Sequence, residues 1–264
     1  LKNNGLNTLF QIYGKYYSQI KKNLVDNQTK KIHHDFLKSI MKDLADIEDS
    51  ELQKFTKKRN RRRYNKKTYE NQYEKEKDDL NILPQIDREL EKYINQGFGN
   101  WRDKYYKSLF FIKNKNDSDT KYEIDLVCHN YLESLFWTFH YYFKDKGGCI
   151  SYIWTYKYSY PPSFSDIYNY LNTYITDINL LQIEKGRPIK QFEQQLMVLP
   201  PQSNSLIPNQ LKYLMLNNSP INFLYPKKFK LNYVNKYYLW ECNPLLPPTD
   251  INLIKENISN IKFN

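Results

Sequence analysis

A chain of 264 residues and 32.1 kDa is long enough to bury one substantial core, with or without a flexible appendage. Its 40 Lys and Arg against 29 Asp and Glu leave a net charge of +11, which favours a polyanionic partner such as nucleic acid over an acidic protein surface. With no run of about 18 apolar residues and no signal-peptide pattern before the first helix, the sequence excludes a membrane-spanning helix and points to a soluble intracellular protein, cytoplasmic rather than nuclear.

The chain begins at Leu1 with no methionine, so it is expected to be a piece of something longer. Cys128, Cys149 and Cys242 are odd in number, far apart and without CxxC spacing, which argues for buried free thiols over disulfides or a zinc site. Lys, Asn, Ile and Tyr are abundant, and A/T-rich codons encode all four, so part of the positive charge reflects codon usage.

In chain order, Leu9, Ile12, Tyr13, Tyr16 and Tyr17 suit a first helix, although Gly14 costs it about 1 kcal/mol relative to alanine. Asp35 is expected to cap a second. Its apolar stripe is Phe36, Leu37, Ile40, Met41, Leu44 and Ile47, with Asp43, Asp46, Glu48 and Asp49 assigned to the wet face and not to a metal site. From Lys54 to Lys67 the sequence turns strongly basic, and the charged stretch continues to Asp79. Lys57, Lys58, Arg59, Arg61, Arg62 and Arg63 suit contacts to a phosphate backbone or a nuclear-localisation patch; the same block also suits a solvated, disordered linker, because like charges repel and bury nothing.

Order is expected again from Pro84. Ile86, Leu90, Tyr93 and Ile94 read as one helix ended by Gly97, and Asn100 as the cap of the next, with Trp101, Tyr105, Leu109 and Phe110 inward. Arg102 is placed to reach a phosphate, to pair with a carboxylate of another domain, or to form a structural salt bridge beside a buried Trp101. A capping box at Thr120 and Glu123 starts a long helix, apolar round most of its girth and therefore expected to be buried, with Gly147 and Gly148 as its stop. Neither His129 nor His140 stands in an obvious catalytic relay. Tyr152, Trp154, Tyr156, Tyr158 and Tyr160 then alternate at every second residue, which predicts an extended segment.

Beyond it, Ser163 caps a helix carrying Phe164, Ile167, Leu171, Tyr174, Ile175 and Ile178. Glu193 and Gln194 sit at a helix start, where side chains satisfy free backbone N–H groups. Val234 and Asn235 read as the short turn of a β-hairpin, and Asp250 caps a terminal helix. The fold class is thus mostly α: a multi-helix domain with an extended aromatic segment and a small C-terminal β-hairpin. Its parts are leading helices over 1–53, a basic linker or insertion over 54–83, and the helical core over 84–264.

Several strings together resemble one family. Cys128, Tyr131, Leu135, Trp137, Tyr141, Tyr142, Ser151, Trp154, Tyr156, Tyr158, Tyr160, Pro162, Ser165 and Asp166 fit a pattern close to CxxYxxGLxWxxxYYxxGxxSWxWYYPYHYAPxxSD, found in the helical region of XRN-type 5′-to-3′ exoribonucleases. Tyr152, Lys157 and Ser159 depart from it. WRDKYY at 101–106 resembles the family's WRxxYY, and Arg187 to Pro208 resembles PFxPFEQLMxVLPxxSxxLLP apart from Ile189 and the extra Gln195. Ser219 to Pro226 and Leu239 to Pro247 fit two further strings, so the resemblance covers most of residues 84–255.

That resemblance implies the non-catalytic helical half of an Mg²⁺-dependent exoribonuclease acting on 5′-monophosphorylated single-stranded RNA. The catalytic and metal-binding residues would belong to an N-terminal nuclease domain, the partner of this chain, and the chain itself would hold no cofactor. It also implies that a tryptophan of the SWxW string lies along the RNA path; only the second is retained, as Trp154, so the expected substrate contacts are Trp154, Tyr152, Tyr156 and Arg102. The alternative is a stand-alone basic helical protein that binds nucleic acid or acts as a scaffold. An A/T-rich protist or a large DNA virus fits the codon usage.

Overall fold

The computed structural model describes residues 5–62, 67–113, 117–143, 149–259 and 261. Ten α-helices are present among them. They are α1 (Gly5–Ile20), α2 (His34–Arg61), α3 (Gln72–Asn81), α4 (Leu83–Ile86), α5 (Glu89–Ile94), α6 (Trp101–Leu109), α7 (Asp117–Phe143), α8 (Phe164–Tyr174), α9 (Gln191–Val198) and α10 (Ile251–Ser259). Strands β1 (Lys230–Asn232) and β2 (Asn243–Leu245) pair antiparallel, with Leu231 opposite Pro244. The architecture is therefore mostly α with one small sheet.

Helices α2, α7 and α8 share a core in which Leu37 and Met41 meet Cys128 and Leu132, and these meet Ile167 and Leu171. A second core joins α5 and α6 to Val127 of α7, Tyr160 and Val234. A third holds the C-terminal part, where Leu196 of α9 and Ile254 of α10 enclose Leu211, Leu214 and Ile221. Helix α1 lies along α2 through Ile12, Phe36 and Ile40, and Leu9 and Tyr17 of its expected apolar face remain exposed.

Several elements differ from the sequence expectation. His33, not Asp35, caps α2: its Nδ1 accepts the Phe36 N–H, and Asp35 lies within the first turn. The supposed single helix after Pro84 is two short ones, broken at Asp87 and Arg88, and of its apolar residues only Ile94 is buried. Gly97 ends α5's exit with a φ of +86°, and a Cβ there would stand 2.6 Å from the Gln53 backbone nitrogen, so this turn requires glycine. Helix α7 begins at Asp117, before the expected capping box, and its last turn exposes Tyr141, Tyr142 and Phe143; Gly147 and Gly148 lie outside the described residues. The two-residue hairpin turn is instead a long connection through the 3₁₀ turn Leu239–Glu241, because Tyr237 to Glu241 do not pair with β1.

Two helices occupy most of the described residues of the run read as a linker. Helix α2 continues to Arg61, and α3 follows after Asn71, whose side chain caps it by accepting from the Glu74 N–H. Leu37, Met41, Leu44, Glu48, Leu52, Phe55 and Arg59 recur at steps of three and four along α2, so one helical row runs from the first core into the basic stretch.

Candidate nucleic-acid interface

The aromatic segment after Cys149 is extended but belongs to no sheet. From Trp154 onward its even-numbered rings turn inward, ending in buried Tyr160, while Thr155, Lys157, Ser159 and Pro161 face out, as a period of two requires. Backbone without a strand partner must find hydrogen bonds elsewhere, and α7 supplies several. Trp137 donates its indole N–H to the Ser151 carbonyl at 3.1 Å, and buried Asn130 accepts the Lys157 N–H at 3.0 Å. Trp154 donates its indole N–H to Glu133 at 3.0 Å.

Those bonds hold three rings in a column. Trp154 lies 6.4 Å from Trp137 at an interplanar angle of 23°, and Trp137 lies 5.3 Å from Tyr141 at 9°. Trp137 is thereby flanked on two sides, Trp154 is half-buried, and Tyr141 and Tyr152 are exposed. Tyr156 differs from the expected base-stacking ring: it packs edge-on to Tyr131 and Tyr158, its hydroxyl donates to the Tyr160 carbonyl at 2.7 Å, and burial pushes its pKa far up.

The far end of the segment is clamped by α6. Tyr105 donates to the Pro161 carbonyl at 2.8 Å, and Tyr106 both accepts the Ser163 N–H at 3.0 Å and donates to Asp166 at 2.6 Å. Burial raises the pKa of both phenols well above the ordinary tyrosine value, so they remain neutral donors. Trp101 donates its indole N–H to Asp49 at 2.9 Å. Arg102 reaches Glu48 at 2.8 Å, Asp49 at 2.9 Å and the Ser165 hydroxyl at 2.9 Å. Burial opposes the Arg102 charge, but the hydrogen bonds it donates to Glu48 and Asp49 outweigh that and hold its pKa above the usual value. Arg102 thus forms a structural crosslink to α2, the salt-bridge alternative to the substrate contact expected of it.

Glu48 likewise does not lie on the wet face, whereas Asp49 does, its side chain half exposed beside Trp101 and Arg102. Glu48 is buried and accepts the Phe164 N–H at 2.7 Å, so it caps α8 from outside that helix. Asp43 binds Lys15 and Tyr16, and Asp46 pairs with Lys42. Asp43 and Asp46 thus pair with different lysines, while Glu48 and Asp49 share Arg102, so the four carboxylates are engaged with cations and do not converge on one point. Among the described residues no three His, Cys, Asp or Glu side chains gather as metal ligands. His129 stands 3.4 Å from Glu133 and 3.1 Å from the Tyr170 hydroxyl, a pairing along α7 and across to α8.

The basic run divides. Arg59 is buried, with its Nε 2.6 Å and 2.7 Å from the two Glu91 oxygens and its Nη2 donating to the Lys236 carbonyl at 2.5 Å, so it faces no phosphate and corrects the sequence reading. Lys57 lies 5.6 Å from the Phe98 ring, while Lys58, Arg61 and Arg62 are exposed. Arg63 lies outside the described residues.

Residues 84–263 match the family described as the Xrn1 helical domain. The chain belongs to that family. It is 31% identical over 188 residues to 5′-3′ exoribonuclease 1 of Schizosaccharomyces pombe, covering 70% of this chain and 13% of that protein. It is 37% identical over 156 residues to human 5′-3′ exoribonuclease 1, covering 55% of this chain and 8% of that protein. It is 32% identical over 182 residues to 5′-3′ exoribonuclease 2 of Debaryomyces hansenii, covering 66% and 17%. The chain thus spans 8–17% of the length of these relatives. Within this Xrn1 helical domain, the WRxxYY string is the clamp that fastens the PPxxSD turn to α2. No helix among the described residues is long and apolar enough to cross a membrane.

Sequence reasoning missed one exposed feature. Trp240 is 76% and Tyr238 40% exposed, and their rings lie 5.9 Å apart at 7°. The only sequence signal was a tryptophan beside a glutamate, with no apolar period around it.

Proposed function

We propose that this chain is the non-catalytic helical half of a 5′-to-3′ exoribonuclease that degrades 5′-monophosphorylated single-stranded RNA, buttressing an N-terminal nuclease domain and lining the RNA path. The observation that carries the reading is the family match over 84–263 together with relatives named 5′-3′ exoribonuclease 1 and 2. The catalytic residues, and the acidic ligands for Mg²⁺, belong on this reading to the nuclease domain. The chain's own residues bind and orient: Trp154, with exposed Tyr152 beside it, offers rings for base stacking, and α7 fixes where those rings stand. An intracellular, cytoplasmic setting accords with it, because Cys128, Cys149 and Cys242 are all free thiols.

The test is a comparison of the purified chain with the same chain joined to its nuclease domain, on 5′-labelled monophosphate RNA with Mg²⁺. The chain alone should release no mononucleotide and the joined protein should release it steadily. Chelator-sensitive release from the chain alone would overturn this division of labour.

A further inference from the structure

We propose that Tyr238 and Trp240, with Arg61 and Arg62 at the end of α2, form a second contact for single-stranded RNA, separate from the Trp154 column. Two observations meet there. The first is the parallel, solvent-facing ring pair; an indole that is 76% exposed makes little contribution to the fold, and its face is open. The second is that the cationic end of α2 is fastened to the same loop. Arg59 donates to the Lys236 carbonyl at 2.5 Å and stacks 4.5 Å from the Tyr237 ring, and the Arg62 guanidinium lies 4.9 Å from that ring. Arg62 therefore rests on Tyr237, the residue immediately before Tyr238.

The loop is built to stay in place. Gln85 donates to the Tyr237 carbonyl at 2.7 Å, and Glu241 accepts the Tyr237 N–H at 2.8 Å, which also occupies a carboxylate of this turn. Rings on a fixed turn lose little freedom when a base stacks on them, and every base has a face to offer. The exposed cations at the end of α2, with Arg62 resting on the Tyr237 ring, supply the sequence-independent remainder of the affinity. Helix α3, packed beside the 3₁₀ turn, carries more carboxylates than lysines, so the backbone of a bound strand is directed toward Arg61 and Arg62. A net charge of +11 favours the same occupant over an acidic protein surface.

The experiment is anisotropy of a fluorescein-labelled 20-nucleotide oligouridylate titrated with the 264-residue chain over a series of salt concentrations. Trp240→Ala, whose ring is exposed and whose melting temperature should match the parent, is expected to weaken binding on the order of 10-fold without changing the salt dependence. Trp240→Phe should retain most of the affinity. Joint replacement of Arg61 and Arg62 by Gln should weaken binding and flatten its salt dependence. Loss at Trp240 with none at Trp154 would support this site while removing the Trp154 column from the RNA path. Undetectable binding by the parent, or unchanged binding by Trp240→Ala, overturns the proposal. Unchanged RNA binding with lost association to the separately purified nuclease domain overturns it in favour of a protein partner.

Discussion

Glu48 on α2 accepts the Phe164 N–H at 2.7 Å, so a carboxylate 116 residues away in sequence caps the first turn of α8. The same side chain pairs with Arg102 at 2.8 Å and accepts the Ser165 hydroxyl at 3.1 Å. One residue thus ties α2 to both α6 and α8. Glu48→Ala should leave two α8 donors and part of the Arg102 charge without their acceptor, at a cost of about 2–4 kcal/mol. Glu48→Gln keeps an acceptor and should lose less. Thermal melts of the two variants decide this; equal, small shifts would show that Glu48 is dispensable to the fold.

The helical class and most elements were legible, because periods of 3.6 and 2 leave direct marks. What failed was polarity read residue by residue. Glu48 and Arg59 were assigned to solvent because they are charged, yet both fall in the row Leu37, Met41, Leu44, Glu48, Leu52, Phe55 and Arg59, which faces the core. A charged residue in register with an apolar row is a buried pair awaiting a partner elsewhere in the chain. Those partners, Glu91 for Arg59 and Arg102 for Glu48, lie 32 and 54 residues away, beyond any local pattern. The site was legible in part for the same reason. Alternation located the Trp154 row, but the Trp137 and Tyr141 rings that support it come from a helix apolar round most of its girth, where the face they share at i, i+4 does not stand out.

Arg59 and Arg62 should behave differently on substitution by Gln. Arg59→Gln breaks a buried pair with Glu91 and should lower stability by about 3–5 kcal/mol while leaving the salt dependence of RNA binding unaltered in the folded fraction. Arg62→Gln is exposed and should leave the melting temperature nearly unchanged. On the proposed RNA contact, it should reduce the salt slope by about 0.7. The paired measurement is a melt and a salt titration for each variant, and identical behaviour would contradict the inward placement of Arg59.

Trp101 and Trp154 offer a second contrast. Trp101 is buried and bonded to Asp49, so Trp101→Ala should cost about 3–5 kcal/mol, several degrees or more of melting temperature. Trp154 is half-buried and stacks on one partner, so Trp154→Ala should cost less. In a chain joined to its nuclease domain, the same change should slow degradation or lower processivity. A melting shift as large as that of Trp101→Ala, with normal activity per folded molecule, would assign Trp154 to the core alone.

The last prediction concerns acid. Burial works against the Asp43 charge, but hydrogen bonds from Lys15 and Tyr16 outweigh it and hold its pKa below the usual aspartate value. A carboxylate whose folded pKa lies below its unfolded one stabilises the fold above the unfolded pKa, near 4, and loses that contribution as pH falls through the folded value. Both of its partners are on α1, and α1 buries only Ile12, so the loss should be local. Lowering the pH below about 4 should therefore release α1 before the α2, α7 and α8 core gives way. Hydrogen exchange followed by peptide reads this directly: amides of residues 5–20 should lose protection first, and Asp43→Asn should show the same early loss already at neutral pH. Simultaneous loss across α1 and α8 at every pH would mean that Asp43 does not set the hold on α1.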